Sequence, residues 1–476
     1  MINRNKLTIL ILLNIVWLLG ACASVGPDYR EPENQLPLSW QHAVENIEGQ
    51  QDNQLWWQNF NDPHLNKLIE LALQENLNVQ SAQSKLREAR AQQSATFANN
   101  FPSITASSSG QESRNKPNHE MATHSQSYQA GFDASWEIDI FGGRRRSDEA
   151  ARANTQAVAA DLDDVKVSLI AEVATNYFNL KNSVRQQQIA ELNIQSRKKT
   201  LALVQSQQKA GLVSVLEVRQ AQSSLAQIES SLPDIQQQIE VNKISLGILL
   251  NKTQAQLEPY LPEKYTIEKV KPEIALSFPA DVLRQRPDIK ATERRLAMQT
   301  AQIGVAVAEK YPKFNLSGNL GLRALTGSGL FDADTVVSSL LGSISAPIFN
   351  AGRINQNIVI QTERQKQAIL SYQAALLQGL ADVEKALSAY QKAQDKQKQL
   401  AINVQVAGEA ERIAQIKYKT GQIGLLNVLD TQRTLWATQD QLNQAQTNEL
   451  LNLIQLYKAL GGGWQVTTGE INESKN

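Results

Sequence analysis

The chain has 476 residues, too long for one ordinary core, and about two to four folding units are expected of it. Lys plus Arg and Asp plus Glu both total 47, and a zero net charge gives no support to a nucleic-acid role. An aromatic content of 6% with a mean hydropathy of −0.36 excludes a helical multi-spanning membrane protein, and four His with one Cys leave little room for a metal cluster or a disulfide framework.

The first stretch, MINRNKLTILILLNIVWLLGAC, reads as a secretory signal over residues 1–21. Arg4 and Lys6 form a basic n-region, residues 7–19 are a short apolar run, and Gly20 and Ala21 are small. The run is too short and wrongly flanked for a membrane span. Leu19-Gly20-Ala21-Cys22 resembles a bacterial lipobox, and cleavage there leaves Cys22 as a lipidated first residue. An ordinary signal followed by an unrelated cysteine is the plainer alternative. Acyl chains at about 0.8 kcal/mol per buried methylene make a stable anchor when two or three are attached. Ala23 rather than Asp follows the cysteine, and resemblance to enterobacterial sorting rules then favours the outer membrane.

The remainder is an internal repeat at an offset of about 210 residues. Asn78-Val79 lies over Asp288-Ile289, Leu86 over Leu296, and Phe101-Pro102 over Tyr311-Pro312. Ile140-Phe141 with Gly143-Arg144 lies over Ile348-Phe349 with Gly352-Arg353, and Gly211, Leu216, Val218, Gln222 and Leu225 fall on Gly421, Leu426, Val428, Gln432 and Leu435. The expected division is a lipid-anchored segment over 22–60, a first copy over 61–265, a second over 266–463 and a tail over 464–476.

Each copy reads helix, strand, loop, strand, long helix, turn, helix. In the first, a helix runs from about Leu65 to Asn99, a strand starts at Pro102, and a polar loop holding His119 and His124 follows. Residues 127–140, SYQAGFDASWEIDI, then alternate strictly: Tyr128, Phe132, Trp136 and Ile138 on one face, Asp133, Glu137 and Asp139 on the other. A long helix fills about 145–209, Gly211 breaks it, and another runs from about Ser214 to Leu250. Arg144-Arg145-Arg146 opens the long helix, either as a headgroup contact or as a solvated patch. In the second copy Lys313–Ala324 alternates, the return strand is expected at 335–347, and a helix from about Ile354 to Lys419 ends at Gly421. Its Ile369, Tyr372, Leu376, Leu380, Val383, Leu387 and Tyr390 recur at spacings of three and four, a coiled-coil-like seam. Helices this long also suit a solvated coiled-coil stalk.

The strands separate the readings. They are long enough to cross a bilayer at a tilt, with one apolar face and one polar face carrying Asp133, Glu137, Asp139, Lys313, Asn315 and Arg323. A soluble sandwich is the alternative. Four strands cannot close, and open edges in lipid leave unpaired backbone groups at several kcal/mol each, so a barrel here must be shared between chains.

The sequence resembles the outer-membrane efflux protein family, the TolC/OprM-type outer-membrane factors, in its lipoprotein branch. The resemblance rests on ACASVGPDYREP after the lipobox, WWQNFNDPHLNKLI near residue 60, WEIDIFGGRR, RPDI at Arg286–Ile289 and VLDTQRTL from Val428. It implies a mainly α fold with membrane β: a homotrimeric barrel with four strands per chain, a long periplasmic α-helical barrel and a mixed equatorial belt. It implies the outer-membrane channel of a tripartite efflux pump, a passive exit duct for small molecules such as drugs. The partners would be a periplasmic membrane-fusion adaptor and an inner-membrane resistance-nodulation-division or ABC transporter. A type I protein-secretion duct and a lipid-anchored coiled-coil scaffold without a pore remain as alternatives.

No catalytic constellation is found; no cofactor and no enzyme activity are expected. His42, His64, His119 and His124 show no ligand spacing, and Gly461-Gly462-Gly463 reads as a stop and linker after the last helix. By the resemblance, Asp430 falls on the family's acidic aperture position and Leu426 on its apolar gate position, each a ring of three under threefold symmetry; from the residues alone, Asp430 reads as a solvated helix residue. Asn427 replaces a second acid seen in some members. Tyr418 and Glu217 match positions that link neighbouring helices in closed channels, although Ile423 replaces a basic partner there. Gly211 and Gly421 turn the helix pairs where adaptors would dock; any helical hairpin also needs such a stop.

Overall fold

The computed structural model describes residues 24–32, 37, 39–41, 53–115, 123–263, 265, 279–332 and 334–464. Cys22, His42 and His119 lie outside the described residues. After a 3-10 helix over Asn53–Phe60, the order is α1 (Pro63–Glu75), α2 (Leu77–Ala98), β1 (Ser103–Asn115), β2 (Thr123–Ile138), α3 (Gly143–Lys209), α4 (Val215–Glu229), α5 (Leu232–Leu249) and the short α6 (Gln254–Leu257). Then come α7 (Pro279–Gln285), α8 (Pro287–Ala308), β3 (Lys313–Ala324), β4 (Val336–Ser345), α9 (Arg353–Lys419) and α10 (Leu425–Ala459). The duplication is plain in three dimensions. The helices α3 and α9 have 67 residues each, roughly 100 Å at the α-helical rise, and α2 and α8 have 22 each.

Several expected elements divide or shift. The helix expected over 65–99 is two, because Asn76 turns extended (φ −64°, ψ 129°) and its side chain accepts from the N–H groups of Asn78 and Val79, capping α2. The helix expected over 214–250 breaks at Ser230-Ser231, ahead of Pro233, whose missing N–H is tolerated in the first turn of α5. β2 begins four residues earlier than the alternation suggested, so His124 belongs to a strand, opposite Arg114, rather than to a loop. The repeats also align differently by one residue. Gly142 (φ +80°) and Gly352 (φ +83°) hold the same left-handed turn before α3 and α9, so Gly142, not Gly143, is the counterpart of Gly352.

The chain divides into two compact units that do not follow the repeats, since each draws on both copies. One comprises the first 33 residues with Lys85–Ala159 and Ala291–Gln373. It holds a single antiparallel sheet in the order β1-β2-β3-β4. Ile104, Ala134, Gly318 and Leu340 share one row across the sheet, and Ala106, Phe132, Leu320 and Ser338 the next. On this face Ile104, Phe132, Leu320, Leu340 and Ile344 are each more than half exposed. Thr105, Asp133, Asn319 and Ser339 form a row of the opposite face, where Ser107 Oγ donates to Asp133 Oδ2 at 2.7 Å and Ser339 Oγ to Asn319 Oδ1 at 3.0 Å. Gly131 and Gly321 face each other so closely that a Cβ on Gly131 would lie 2.7 Å from the Gly321 Cα. The outer edges of β1 and β4 have no partner strand among the described residues.

The other unit comprises Asn34–Ser84, Ala160–Lys290 and Ala374–Asn476. Its core gathers Trp56, Leu65, Leu68, Ile69, Ile170, Tyr177, Leu180 and Tyr457, with Trp56 stacked on Tyr457 at 5.1 Å. Asp62 caps α1 through the N–H groups of His64 and Leu65 and also receives Tyr177 Oη (2.9 Å) and Lys181 Nζ (2.8 Å) from α3. In this unit's part of the α9 seam Leu376, Val383, Leu387 and Tyr390 are buried, and Gly379 shares the stripe, close against Leu283 and Ile289. The Gly461–Gly463 run is a packed turn and not a linker. It is buried, with Gly461 against Arg286 and Gly463 against Ile170 and Trp57.

Candidate functional site

The residues singled out in the sequence gather at two places: the base of the sheet in the first unit and the helix turns in the second.

At the base of the sheet the arginine triplet does not act as one patch: Arg146 is buried, Arg144 half-buried and Arg145 exposed. Arg144 pairs with Glu137 (3.2 Å) and donates to the Asn99 carbonyl; Arg145 meets Asp139 through its backbone N–H (2.9 Å) and its side chain. Glu137 and Asp139 therefore serve the sheet-to-helix junction, in addition to extending the polar face. Arg146 is buried. Its guanidinium donates to the carbonyls of Val25 and Gly26, to Asp28 Oδ1 (2.6 Å) and to Glu149 (2.7 Å). The stretch from Val25 to Asp28 forms a strap that begins three residues after Cys22, and the Val25 N–H donates to the Phe141 carbonyl. Phe141 lies beyond β2 and stacks on Tyr311 at 4.6 Å, while Trp136 Nε1 donates to the Asn100 carbonyl at 2.9 Å.

At the helix turns, Gly211 (φ +72°) and Gly421 (φ +73°) close identical C-terminal motifs. Leu212 N–H reaches the Gln207 carbonyl and Gln422 N–H the Lys417 carbonyl, five residues back in each case. Only a residue free of Cβ crowding takes this φ readily, which explains both glycines. Past the turns, Val204, Ala221, Ala414, Tyr418, Leu425 and Val428 form one buried cluster joining the two hairpins. Leu212, Val215 and Leu216 stay exposed beside the first turn.

Within α10, Leu425 and Val428 face that cluster, while Leu426, Asn427 and Asp430 are exposed together on the opposite side. Asp430 forms an ion pair with Arg433 one turn on, at 2.5 Å. Tyr418 is buried and donates to Gln207 Oε1 at 2.8 Å; burial and then the nearby Glu217 carboxylate raise its pKa. Glu217 Oε2 is itself buried and has no hydrogen-bond partner among the described residues. Glu217 thus lies near Tyr418, whose hydroxyl donates its hydrogen bond to Gln207 instead.

Sequence reasoning missed the polar seam between α3 and α10. Gln432, 3% exposed, donates to Thr200 Oγ1 at 2.9 Å. Asn193 donates to Gln439 (2.9 Å), Gln186 to Asp440 (2.8 Å) and Asn443 to Asn182 Oδ1 (2.7 Å). The available signal was Gln432, Gln439, Asn443 and Thr447 at spacings of seven and four, where a packed helix ordinarily carries apolar residues. Arg197 sits in the same region, 3% exposed, donating to the Ser224 carbonyl and hydroxyl.

A duplicated chain with a membrane-type sheet and long helical hairpins defines a class of outer-membrane channel subunits. The family described as outer membrane efflux protein matches residues 68–252 and again residues 278–462. The chain belongs to that family, and the two matches are the two copies of the repeat. It is 32% identical to the pyoverdine export outer membrane protein OpmQ of Pseudomonas putida, covering 90% of this chain and 92% of that one. It is 30% identical to the cation efflux system protein CusC of Escherichia coli O6:H1, over 93% of this chain and 96% of that one. Among solved structures, the outer-membrane channel OprN superposes with a TM-score of 0.88 at 31% identity, covering 93% of this chain and all of that one. The chain is accordingly an outer-membrane efflux channel protein.

Proposed function

We propose that three copies of this chain form the passive exit duct of a tripartite efflux pump, carrying small molecules from a periplasmic adaptor and an inner-membrane transporter of the resistance-nodulation-division or ABC type to the exterior. The observation that carries this reading is the sheet. One face is mainly apolar and exposed, the other is polar except for Val337 and Leu341 on β4, and both outer edges lack a partner strand among the described residues. In lipid each unpaired backbone group costs several kcal/mol, and bacterial barrels begin near eight strands, so four must be completed by other copies; three copies give twelve.

In this reading Leu426 and Asp430 form rings at the periplasmic constriction, and the Tyr418–Glu217 pair holds the hairpins closed around it. Gly211 and Gly421 shape the ends that meet the adaptor, with Leu212, Val215 and Leu216 as the exposed apolar contact. Cys22 carries the acyl anchor, and the strap from Val25 to Asp28 seats it at the base of the barrel. Transport energy comes from the inner-membrane partner. The relatives' names span pyoverdine export and cation efflux, so cargo follows the pump attached.

The test is assembly and conductance together. Detergent-extracted protein is expected at three times the chain mass and is expected to conduct in planar bilayers. A folded, lipid-anchored monomer with no conductance would establish the scaffold reading instead.

A further inference from the structure

Asp430 does not stand alone on its face of α10. Arg433 is one turn away, and its Nη2 lies 2.5 Å from Asp430 Oδ1, with both side chains about two-thirds exposed. The residue before the acid on this face, Asn427, is uncharged and exposed. Near Arg433 lies a second cation, Arg197, a buried guanidinium held by the Ser224 carbonyl and hydroxyl and lying over the Trp436 ring at 6.0 Å. Burial and then the charge of Arg433 lower the Arg197 pKa, so Arg433 is repelled from the side on which Arg197 lies. The carboxylate that Arg433 meets is Asp430, and the i, i+3 spacing places both on one face of one helix.

We propose that Arg433 is a specificity-determining residue: it matches the Asp430 ring charge for charge, so that the constriction carries no net charge and passes organic anions and zwitterions about as readily as cations. This rests on the reading of Asp430 as a constriction residue. The physical distinction is simple. Three unpaired carboxylates in a narrow ring set a negative potential that concentrates cations and excludes anions. Three carboxylate–guanidinium pairs set only a short-range dipole field, which decays within the width of the pore and is screened further by salt. An exposed pair of this kind adds little to stability, so its consequence is electrostatic and not structural.

The experiment measures the reversal potential of single trimers in planar bilayers under a KCl gradient, with trimer assembly checked by size for every variant. The wild type is expected to select weakly between K⁺ and Cl⁻. Arg433→Gln unmasks the carboxylate ring and is expected to raise the cation-to-anion permeability ratio about threefold or more. Asp430→Asn unmasks the guanidinium ring and is expected to shift the ratio the other way. The double variant returns to the wild-type value, and Arg433→Lys stays there. If Asp430→Asn shifts selectivity but Arg433→Gln does not, the neutralising role is wrong and the constriction reading stands. If neither substitution moves the ratio in assembled trimers, the constriction reading fails and the proposal falls with it. A strongly cation-selective wild-type channel overturns the proposal without any variant.

Discussion

Gly26 crosses Gly304 so closely that a Cβ built on Gly26 would lie 2.5 Å from the Gly304 Cα, and one built on Gly304 would lie 2.7 Å from the Arg146 Cγ. Gly26 also holds φ +89°, a conformation that other residues adopt only under strain. Two glycines and a buried arginine therefore clamp the strap against α8 and the start of α3. Substituting Gly304 by Ala forces the strap or Arg146 aside. The expected loss is about 1–3 kcal/mol, typical of overpacking. The measurement is the temperature at which the unit's fold melts, together with protease sensitivity at residues 24–32. An unchanged melt and an uncut strap would show that the clamp yields without cost.

Arg286 of the RPDI stretch closes a second knot, in the other unit. Its guanidinium forms ion pairs with Asp288 (2.8 Å) and Asp382 (3.3 Å) and donates to the Ala459 carbonyl (3.0 Å) at the end of α10. Only 10% of the side chain is exposed. Arg286→Met fills part of the volume but leaves two carboxylates facing each other and a carbonyl unmet. A loss of about 3 kcal/mol is expected by thermal or denaturant unfolding. Adding Asp382→Asn should recover part of it, because one of the repelling charges is then gone. No recovery would mean that the packing against Gly379 and Gly461, and not charge, dominates.

The sequence made the duplication, the strands and both glycine turns legible for a physical reason: each is a local pattern, whether period two, period three to four or a single φ. β2 could be read because Tyr128, Phe132 and Trp136 alternate with Ser127, Asp133 and Glu137. The helix breaks at Asn76 and Ser230 were hidden because both residues also occur within helices, and only their caps decide. Arg146 with Asp28, 118 residues apart, and Asn443 with Asn182, 261 apart, could not be found by any window along the chain. The family resemblance pointed to Asp430; the sequence also printed Arg433 beside it, but a charge three residues on means little until both side chains are seen on one exposed face.

Asp62 predicts how stability depends on acid. Burial alone would raise its pKa, but the Lys181 ammonium, the Tyr177 hydroxyl and the Leu65 N–H together outweigh burial, and the net shift is downward. A folded value below the unfolded one means the stabilisation is complete above the ordinary carboxylate range and is lost as pH falls through the folded value. Asp62→Asn should thus lower the melting temperature at pH 7, by an amount matching about 3 kcal/mol, since Lys181 is left buried without its carboxylate. Below about pH 4 the gap between variant and wild type should narrow. A gap constant from pH 7 to pH 3 would show that Asp62 acts through its cap geometry alone.

For the anchor, Cys22→Ser should abolish metabolic labelling with palmitate. Trimers should still form in part, since the strap is held by Arg146 and the barrel inserts on its own apolar face. Undiminished labelling would rule out Cys22 as the acylated residue.

The steric side of the constriction is tested at Leu426. Its side chain is 63% exposed, on the face of α10 that also carries Asp430, and it points away from the cluster of Val428, Tyr418 and Leu425. In water this is an unfavourable place for a leucine, and under the proposed constriction a ring of three closing on itself would remove the cost. Leu426→Ala shortens each of three side chains at one level. Single-trimer conductance is expected to rise about twofold or more, with thermal stability of the single chain nearly unchanged because the cluster beneath is untouched. Tyr418→Phe removes the hydroxyl that donates to Gln207 and should raise the frequency of opening more than the size of the open current. Asp133→Ala is the paired control: it lies on the polar face of β2, held by Ser107, where a twelve-stranded lumen is wide, and the open current should not change. If Leu426→Ala and Asp133→Ala have equal effects on conductance in assembled trimers, the narrowest point of the duct is not at α10, and Leu426 must be assigned to a contact with another protein.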